Sequence, residues 1–301
     1  MIDESGVGGR GAGAGGGRAA GGATGPTPRP RLPPVARLLR PDCNHGAMRL
    51  AVCSSKGGVG KTSTAANLAV VLAQRGRVLA VDADPQDSLG RAFGVIAKGR
   101  EDSLSGLLES PEADPQAVVR RDVAPGLDLL PAHPSLEAVG AMLALQGGIV
   151  TGIRRVLRPL LADYDHVVID THGDLGNLTL SAICAADALL TVFTSDPGSA
   201  LGAARVTAFL EQHRQFENTS ARLLGLACSL WDREGKAARE VVGALEGTDL
   251  PLLPTRIPLS RRVPSSTLAK RPVVLSAPAS PVAAAYTALT DDVLTAYREL
   301  P

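Results

Sequence analysis

Short runs of apolar residues alternate with longer segments of helical periodicity from position 49 to the end of the chain. Apolar runs of this length between turn residues predict strands, and the segments between them predict helices. The predicted strands cover residues 50–53, 78–81, 127–130, 166–169, 188–193, 223–228 and 255–257. The clearest predicted helices cover residues 63–75, 198–212 and 281–300.

The alternation of strands with helices predicts βαβ units and a parallel sheet. Most of the predicted strands are apolar almost throughout, as expected of a sheet that helices cover on both faces. At 45% apolar residues, the chain has enough material for a sizeable core. The sequence therefore predicts one doubly wound α/β domain over residues 48–301, with a mostly parallel sheet.

Residues 1–47 differ in composition from the rest of the chain. They are glycine-rich as far as position 22 and rich in proline and arginine as far as position 41. Such a segment buries too little apolar surface to offset its ordering entropy, so we expect a disordered tail. The stretch that follows, MRLAVC from Met48, is also typical of a protein start. Two interpretations of this tail therefore stay open: it is a basic arm, or the start of the protein has been assigned too far upstream.

Charge is distributed unevenly along the chain. The formal net charge is +1, and residues 1–47 contribute six arginines against three acidic residues, which leaves about −2 for the rest. No overall basic field therefore indicates a nucleic-acid partner. Any affinity of the folded part for DNA would have to come from a local cluster of arginines.

The sequence shows no sign of a zinc site, a disulfide framework or a membrane span. The four cysteines form no C-x-x-C pair. The chain begins without an apolar signal segment, and no apolar run approaches the roughly 18 residues that a span needs. We therefore expect a reduced, cytoplasmic protein with no membrane partner.

Residues 54–63, with the sequence SSKGGVGKTS, join the first predicted strand to the first predicted helix. Glycines in this position let backbone N–H groups turn toward phosphate oxygens, and the helix presents its N-terminus to the anion. Lys61 is expected to reach the β- and γ-phosphates of ATP, and the Thr62 hydroxyl to bind Mg²⁺. The residues predicted to bind nucleotide here are Lys56, Gly57, Gly58, Val59, Gly60, Lys61, Thr62 and Ser63.

The loop departs from the generic phosphate-loop pattern, since Ser55 stands where a glycine is usual and Lys56 follows it. In this form residues 56–62 resemble the ParA/MinD family of deviant Walker ATPases. The resemblance implies that Lys56 reaches across an ATP-dependent homodimer to the phosphates of the partner. Charge alone indicates only that a second cation near a triphosphate would offset its negative charge.

Three aspartates follow predicted strands. Asp82 and Asp84 come after the second one, in the sequence DADPQ, and Asp170 ends the run HVVID. Ligands bind at the carboxyl ends of strands in doubly wound sheets, so all three should face the phosphate loop. The resemblance implies that Asp84 positions the attacking water and that Asp82 supports the metal site. Thr62, Asp84 and Asp170 are the predicted Mg²⁺ residues, Asp170 through a coordinated water.

The similarity covers roughly residues 49–300, with two departures. After Asp170 the family usually continues Pro-Pro-Ser-Leu-Gly, whereas this chain has THGDLG. A histidine in this loop could sense the γ-phosphate or a partner, but we interpret His172 as an exposed loop histidine. After Ile257 and Pro258, which resemble the family's Ile-Pro beside the base, the usual glutamate is missing. Trp231 and Asp232 occupy the other predicted positions next to the adenine, although Trp231 is equally consistent with core packing.

The resemblance to ParA implies a biological role in chromosome or plasmid partition. The ATP-bound dimer would bind DNA non-specifically on the nucleoid, and a ParB-like centromere-binding protein would stimulate its otherwise slow hydrolysis. Clustered arginines suffice for such binding, because it rests on phosphate contacts. The candidates are Arg205, Arg214, Arg222, Arg233, Arg239, Arg261 and Arg262.

The alternative is a MinD-like or other cargo-positioning ATPase of the same fold that does not carry DNA. A membrane-targeting version needs a basic amphipathic helix at the C-terminus. Residues 286–300 contain Asp291, Asp292 and Glu299 against Arg298 alone. Anionic lipids would repel such a helix, so the sequence disfavours membrane targeting.

Overall fold

The structure is a computed structural model that describes residues 48–232 and 235–300. The predicted tail, residues 1–47, lies outside the described residues. The strands are β1 (Met48–Cys53), β2 (Val78–Asp82), β3 (Arg120–Ala124), β4 (Leu127–Leu130), β5 (His166–Asp170), β6 (Ala188–Thr194), β7 (Arg222–Trp231) and β8 (Leu252–Pro258). They form one sheet in the order β3-β4-β2-β5-β1-β6-β7-β8. Neighbouring strands are parallel except β3 and β4, which are antiparallel.

Helices connect the strands. They are α1 (Lys61–Ala73), α2 (Ser88–Ala92), α3 (Leu104–Glu109), α4 (Pro115–Val118), α5 (Leu136–Leu145), α6 (Gly152–Leu157), α7 (Asn177–Ala185), α8 (Pro197–Gln215), α9 (Lys236–Glu246), α10 (Arg262–Leu268), α11 (Val273–Ser276) and α12 (Pro281–Glu299). Single turns of 3₁₀ helix cover Arg100–Asp102 and Leu161–Asp163. The predicted doubly wound α/β fold is confirmed.

The central strand β1 is buried on both faces, which explains why it is apolar at nearly every position. Leu50 and Val52 face a cluster that includes residues of α1 and α12, while Ala51 and Cys53 face residues of α7 and α8. All four are fully buried. Burial of each Leu or Val side chain contributes about 1.5–3 kcal/mol. A polar substitution here would therefore disturb the strand from which the phosphate loop begins.

The final helix α12 has its apolar face covered by the core. Its buried residues belong to the same cluster as those of α1: Val282, Ala283, Tyr286, Leu289 and Val293. Two acidic residues of its polar face make tertiary contacts. Asp291 pairs with Arg75 at 2.6 Å, and Asp292 accepts a hydrogen bond from the Thr255 backbone N–H at 2.9 Å. Among the described residues, no helix combines the length and apolar character needed to cross a membrane.

All seven predicted strands are present, several with an extra residue or more at their ends, but the prediction missed β3. This strand pairs with β4 at the edge of the sheet, and Arg120, Arg121 and Asp122 make it polar. Contacts to Asp128 help to hold it there: Arg121 donates a hydrogen bond to the Asp128 carboxylate at 2.8 Å. Polar residues are usual on edge strands, since one edge faces solvent.

Gly126→Ala is expected to destabilise the protein. Gly126 lies in the β3–β4 turn with φ +76°, and a Cβ there would lie 2.8 Å from the Ala73 carbonyl oxygen. The left-handed conformation alone costs a non-glycine residue about 1–2 kcal/mol, and the contact with the carbonyl adds to it. Urea unfolding measures the change. The matched control is Gly243→Ala within α9, where nothing lies within 4 Å of an added Cβ and a gain of about 0.5–1 kcal/mol is expected. Equal stability of the two variants would contradict this account.

Candidate nucleotide-binding site

The strands β2, β5 and β1 lie side by side, and their carboxyl ends form the floor of the candidate site. Asp82 at the end of β2 is in register with Asp170 at the end of β5, which is also paired with Val52 of β1. The phosphate loop follows β1 directly. The topology therefore brings together groups that are far apart along the chain, as expected for a ligand site in a doubly wound sheet.

The phosphate loop has the backbone that its glycines predict. Gly58 and Gly60 have φ values of +77° and +82°, in the left-handed region where side chains are strained. Helix α1 begins at Lys61, and Gly60 precedes it without a side-chain cap. The first backbone N–H groups of α1 lack partners within the helix and carry its positive dipole end, so this terminus suits an anion. Lys56, Gly57 and Gly58 are exposed.

Ser229 anchors the phosphate loop to the neighbouring strands. Its Oγ donates a hydrogen bond to the Val59 carbonyl and lies 3.2 Å from the Phe193 carbonyl. Gly60 packs close by, since a Cβ there would lie 3.6 Å from Ser229 Oγ. No local pattern in the sequence indicates this role of Ser229, because its contact with a loop 170 positions earlier depends on the strand order.

Lys61 and Asp170 form a buried ion pair. Lys61 Nζ lies 2.8 Å from Asp170 Oδ1 and also donates to the Thr171 carbonyl. The side chain of Lys61 is 7% exposed and that of Asp170 is fully buried. Burial alone would lower the pKa of Lys61, but the Asp170 carboxylate outweighs it and raises that pKa, so Lys61 stays charged. Burial raises the pKa of Asp170, and Lys61 opposes the rise.

The surroundings of Asp170 fit a hydrated Mg²⁺ ion. Asp170 Oδ2 is buried without a hydrogen-bond partner among the described residues, and Thr62 is near enough to lower the pKa of this carboxyl. The described part of the chain contains no group of three or more His, Cys, Asp or Glu side chains suited to a metal ion. At nucleotide sites, phosphates and waters supply most of the Mg²⁺ ligands.

Asp82 and Asp84 have different surroundings although they are two residues apart. Asp82 is fully buried, and its two carboxylate oxygens accept hydrogen bonds from the backbone N–H groups of Asp84 (3.1 Å) and Gly90 (2.9 Å). Burial raises the pKa of Asp82 well above its usual range. Asp82 thus shapes the turn that carries Asp84, and its support of the metal site stays a prediction. Asp84 is 6% exposed and accepts a hydrogen bond from the Gln86 N–H at 2.9 Å.

The interpretation of His172 as an exposed loop histidine is wrong. Its Nδ1 lies 2.9 Å from Asp84 Oδ1, and its side chain is 36% exposed. The sequence offered one signal for this contact, namely that a polar ring replaces a residue of the family's usual proline pair. Nothing local indicated which residue the ring would contact.

Lys56 lies at the rim of the site. Its side chain is 55% exposed, and Nζ is 3.2 Å from Asp196 Oδ1. Asp196 also caps α8, where its carboxylate accepts a hydrogen bond from the Ser199 N–H at 3.1 Å. The Thr194 hydroxyl, and to a smaller extent Lys56, lower the pKa of Asp196. Asp196 is therefore ionised at neutral pH.

A cavity of about 430 Å³ adjoins the phosphate loop. Its lining residues are Lys56, Gly57, Gly58, Val59, Thr194, Ser195, Asp196, Leu230, Asp232, Gly235 and Ala238. Of the four predicted base contacts, Asp232 belongs to this lining. Trp231 does not: it packs against Phe193 and its neighbours, while Leu230, with φ +50°, takes the place beside the cavity.

The Ile257 side chain likewise lies away from the cavity, because it is 2% exposed and belongs to the main hydrophobic cluster. Pro258 is half-buried at the end of β8, outside the cavity lining. The position of Trp231 has a physical reason. Side chains alternate between the faces of a strand, so Trp231 cannot face the cavity that its neighbours Leu230 and Asp232 line.

Comparison with known proteins identifies the family. A family model described as an AAA domain matches residues 47–223. The chain is 34% identical over 253 residues to the chromosome-partitioning ATPase Soj of Thermus thermophilus, covering 83% of this chain and 97% of Soj. The chain belongs to the ParA/MinD family of P-loop ATPases. As a member of this family it is an ATP hydrolase.

Solved structures of similar proteins share this fold. McdA of Cyanothece superposes with a TM-score of 0.75 at 23% identity, covering 82% of this chain and 99% of McdA, which supports the fold alone. Cobyrinic acid a,c-diamide synthase of Mycobacterium smegmatis is 29% identical, with a TM-score of 0.72 over 84% of this chain and 96% of the synthase. That structure contains an ATP analogue and magnesium. The prediction of ATP and Mg²⁺ as cofactors is thereby confirmed at the level of the family fold.

Proposed function

We propose that this member of the ParA/MinD family is a partition ATPase. MgATP drives two copies into a sandwich dimer, the dimer binds DNA without sequence preference on the nucleoid, and a ParB-like centromere-binding protein stimulates hydrolysis. The observation that carries this proposal is the exposed Lys56 at the rim of the phosphate loop. Soj is a chromosome-partitioning ATPase, and the match covers 97% of its length. This similarity supports the same role.

Within one copy, the residues at the strand ends would hold MgATP. Lys61 and the N–H groups of the phosphate loop would bind the phosphates. Thr62, Asp84 and Asp170 would hold the Mg²⁺ ion, with the unpartnered Asp170 Oδ2 reaching it through a water. When bound, Mg²⁺ neutralises negative charge on the phosphates. Asp84 would position the attacking water, and Asp82 would hold the turn that carries Asp84.

Across the dimer, Lys56 would act on the nucleotide of the partner. Its side chain is 55% exposed and lines the same cavity as Gly57 and Gly58, so a second copy stacked on this face could approach it directly. A cation placed there would stabilise charge that develops on the phosphates during hydrolysis. Hydrolysis would then require the dimer, since one copy supplies Lys56 and the other supplies Asp84.

Four cations around α10 support DNA binding. Arg261 and Arg262 begin this helix and are exposed, and the exposed Lys270 and Arg271 follow its end. None of the four has an ion-pair partner within residues 48–232 and 235–300. Two other candidates from the sequence are less suited to phosphate contacts, because Arg214 pairs with Glu211 at 2.8 Å and Arg222 is half-buried. Arg233 lies outside the described residues. Arg205 and Arg239 are exposed on α8 and α9.

Arg261→Gln/Arg262→Gln is expected to weaken ATP-dependent binding to duplex DNA of unrelated sequences by the same factor for each sequence. The slope of log K against log salt should fall by about two, since each lost phosphate contact removes roughly 0.9. Fluorescence anisotropy across a salt series, with ATP, with ADP and without nucleotide, measures both quantities. The matched control is Arg100→Gln/Arg214→Gln, which removes the same charge from arginines that already pair with Glu109 and Glu211.

A protein that hydrolyses ATP but binds no DNA in any nucleotide state would contradict the partition role. It would favour the alternative, a MinD-like or other cargo-positioning ATPase of the same fold that carries no DNA. Equal losses in the control double variant would show that binding depends on total charge and not on the surface around α10.

A further inference from the structure

Residues 171–173, here called the switch segment, follow β5 and contact the phosphate-binding elements on both sides of His172. Thr171 Oγ1 donates a hydrogen bond to the Val52 carbonyl at 3.0 Å, and the Thr171 carbonyl accepts one from Lys61 Nζ. On the other side, Gly173 packs on the phosphate loop, since a Cβ there would lie 3.4 Å from Gly57 Cα. The backbone that carries His172 is therefore held in place.

His172 reaches from this segment to Asp84, which lies 88 positions earlier in the chain. Its Nδ1 is 2.9 Å from Asp84 Oδ1, and the same oxygen accepts the Gln86 N–H at 2.9 Å. Because a carboxylate oxygen accepts hydrogen bonds, the proton of this contact belongs to Nδ1. Two donors on Oδ1 fix the plane of the carboxylate and leave Oδ2 to contact another group.

The surroundings make this hydrogen bond stronger than an exposed surface pair. The Asp84 side chain is 9% exposed, so water competes little for its oxygens. Asp84 also lies near enough to Lys61 and Asp170 to influence the pKa of each. A rotation of the carboxylate would therefore change the arrangement of charges at the phosphate site.

We propose that His172 is a positioning residue for hydrolysis: it holds the Asp84 carboxylate in the orientation in which Oδ2 contacts the attacking water. The inference rests on the role of Asp84 in the proposed function. Proline, which the family usually has in this loop, carries no N–H to donate. This chain thus has a way of orienting the carboxylate that the usual loop lacks.

A pair of substitutions tests the role of the donor. His172→Leu removes it, whereas His172→Asn places an amide N–H near the position of Nδ1. The leucine variant is expected to lower kcat about tenfold while KM for ATP stays within about twofold, because one charge-assisted hydrogen bond is lost and substrate contacts remain. The asparagine variant should recover most of kcat. His213→Leu, near the far end of α8, is the control for loss of a histidine and should behave as the parent.

A second measurement needs no nucleotide. Long-range ¹H–¹⁵N correlation spectra of histidine-labelled protein, at a pH where the ring is neutral, should show His172 with its proton on Nδ1. In Asp84→Ala the proton should move to Nε2, which free imidazole side chains prefer. Equal kcat values in the leucine and asparagine variants, or an Nε2 proton in the parent, would overturn the proposal. Failure of the Asp84 role itself would appear separately, as parental hydrolysis in Asp84→Ala.

Discussion

Lys61→Ala is expected to abolish ATP binding and to destabilise the protein. The substitution removes the cation predicted to bind the β- and γ-phosphates, and it leaves the fully buried Asp170 without its partner at 2.8 Å. Removal of one member of a buried ion pair typically costs about 3–5 kcal/mol. Binding of a fluorescent ATP analogue and urea unfolding without nucleotide measure the two losses independently.

A double variant separates the two effects of Lys61→Ala. In Lys61→Ala/Asp170→Asn the buried group is neutral, so most of the lost stability should return, while ATP binding should remain absent. An unchanged free energy of unfolding in the single variant would show that Asp170 does not depend on Lys61 for its burial. Detectable ATP affinity in the stable double variant would contradict the assignment of Lys61 to the phosphates.

Asp84→Ala is expected to lower ATP hydrolysis by at least about 10²-fold, the usual contribution of a group that positions or activates a nucleophile. ATP should still bind, because Lys61 and the phosphate loop remain. The ATP-bound dimer should therefore accumulate, since hydrolysis no longer returns it to monomers. Single-turnover phosphate release measures the first effect, and size-exclusion chromatography with light scattering measures the second.

The control for Asp84→Ala is Asp249→Ala, which removes an exposed carboxylate in the turn after α9. This control should hydrolyse ATP at the parental rate and form no persistent dimer. If Asp84→Ala also hydrolysed ATP at the parental rate, another group would have to position the water. The roles proposed for Asp84 and for His172 would then both be rejected.

Most of the strands were predictable because each is marked by its own residues. A buried parallel strand needs a run of apolar residues, and the sequences of β1, β2 and β5 contain such runs. The antiparallel β3 has no such run. Its polar residues are stabilised by Asp128 and by its position at the edge of the sheet, which no local pattern reports.

The structure brings the residues of the phosphate loop together at the strand ends, whereas it places Trp231 and Ile257 away from the cavity. The phosphate loop acts through backbone groups whose geometry follows from glycines at fixed positions, so its residues can be assigned from the motif alone. A base contact from Trp231 or Ile257 would instead need the side chain, and the direction of each side chain depends on the face of the strand it occupies. In the structure both side chains pack in hydrophobic clusters, and Leu230 and Asp232 line the cavity.

The sequence by itself determined the fold class, the phosphate loop and the three carboxylates at strand ends. These features depend on residues close together in the chain, through hydrophobic periodicity and the backbone freedom of glycine. Only the tertiary structure decided which side chains meet: Lys61 with Asp170, His172 with Asp84, and Ser229 with the Val59 carbonyl. These partners are 109, 88 and 170 positions apart, so strand order and register set their distances.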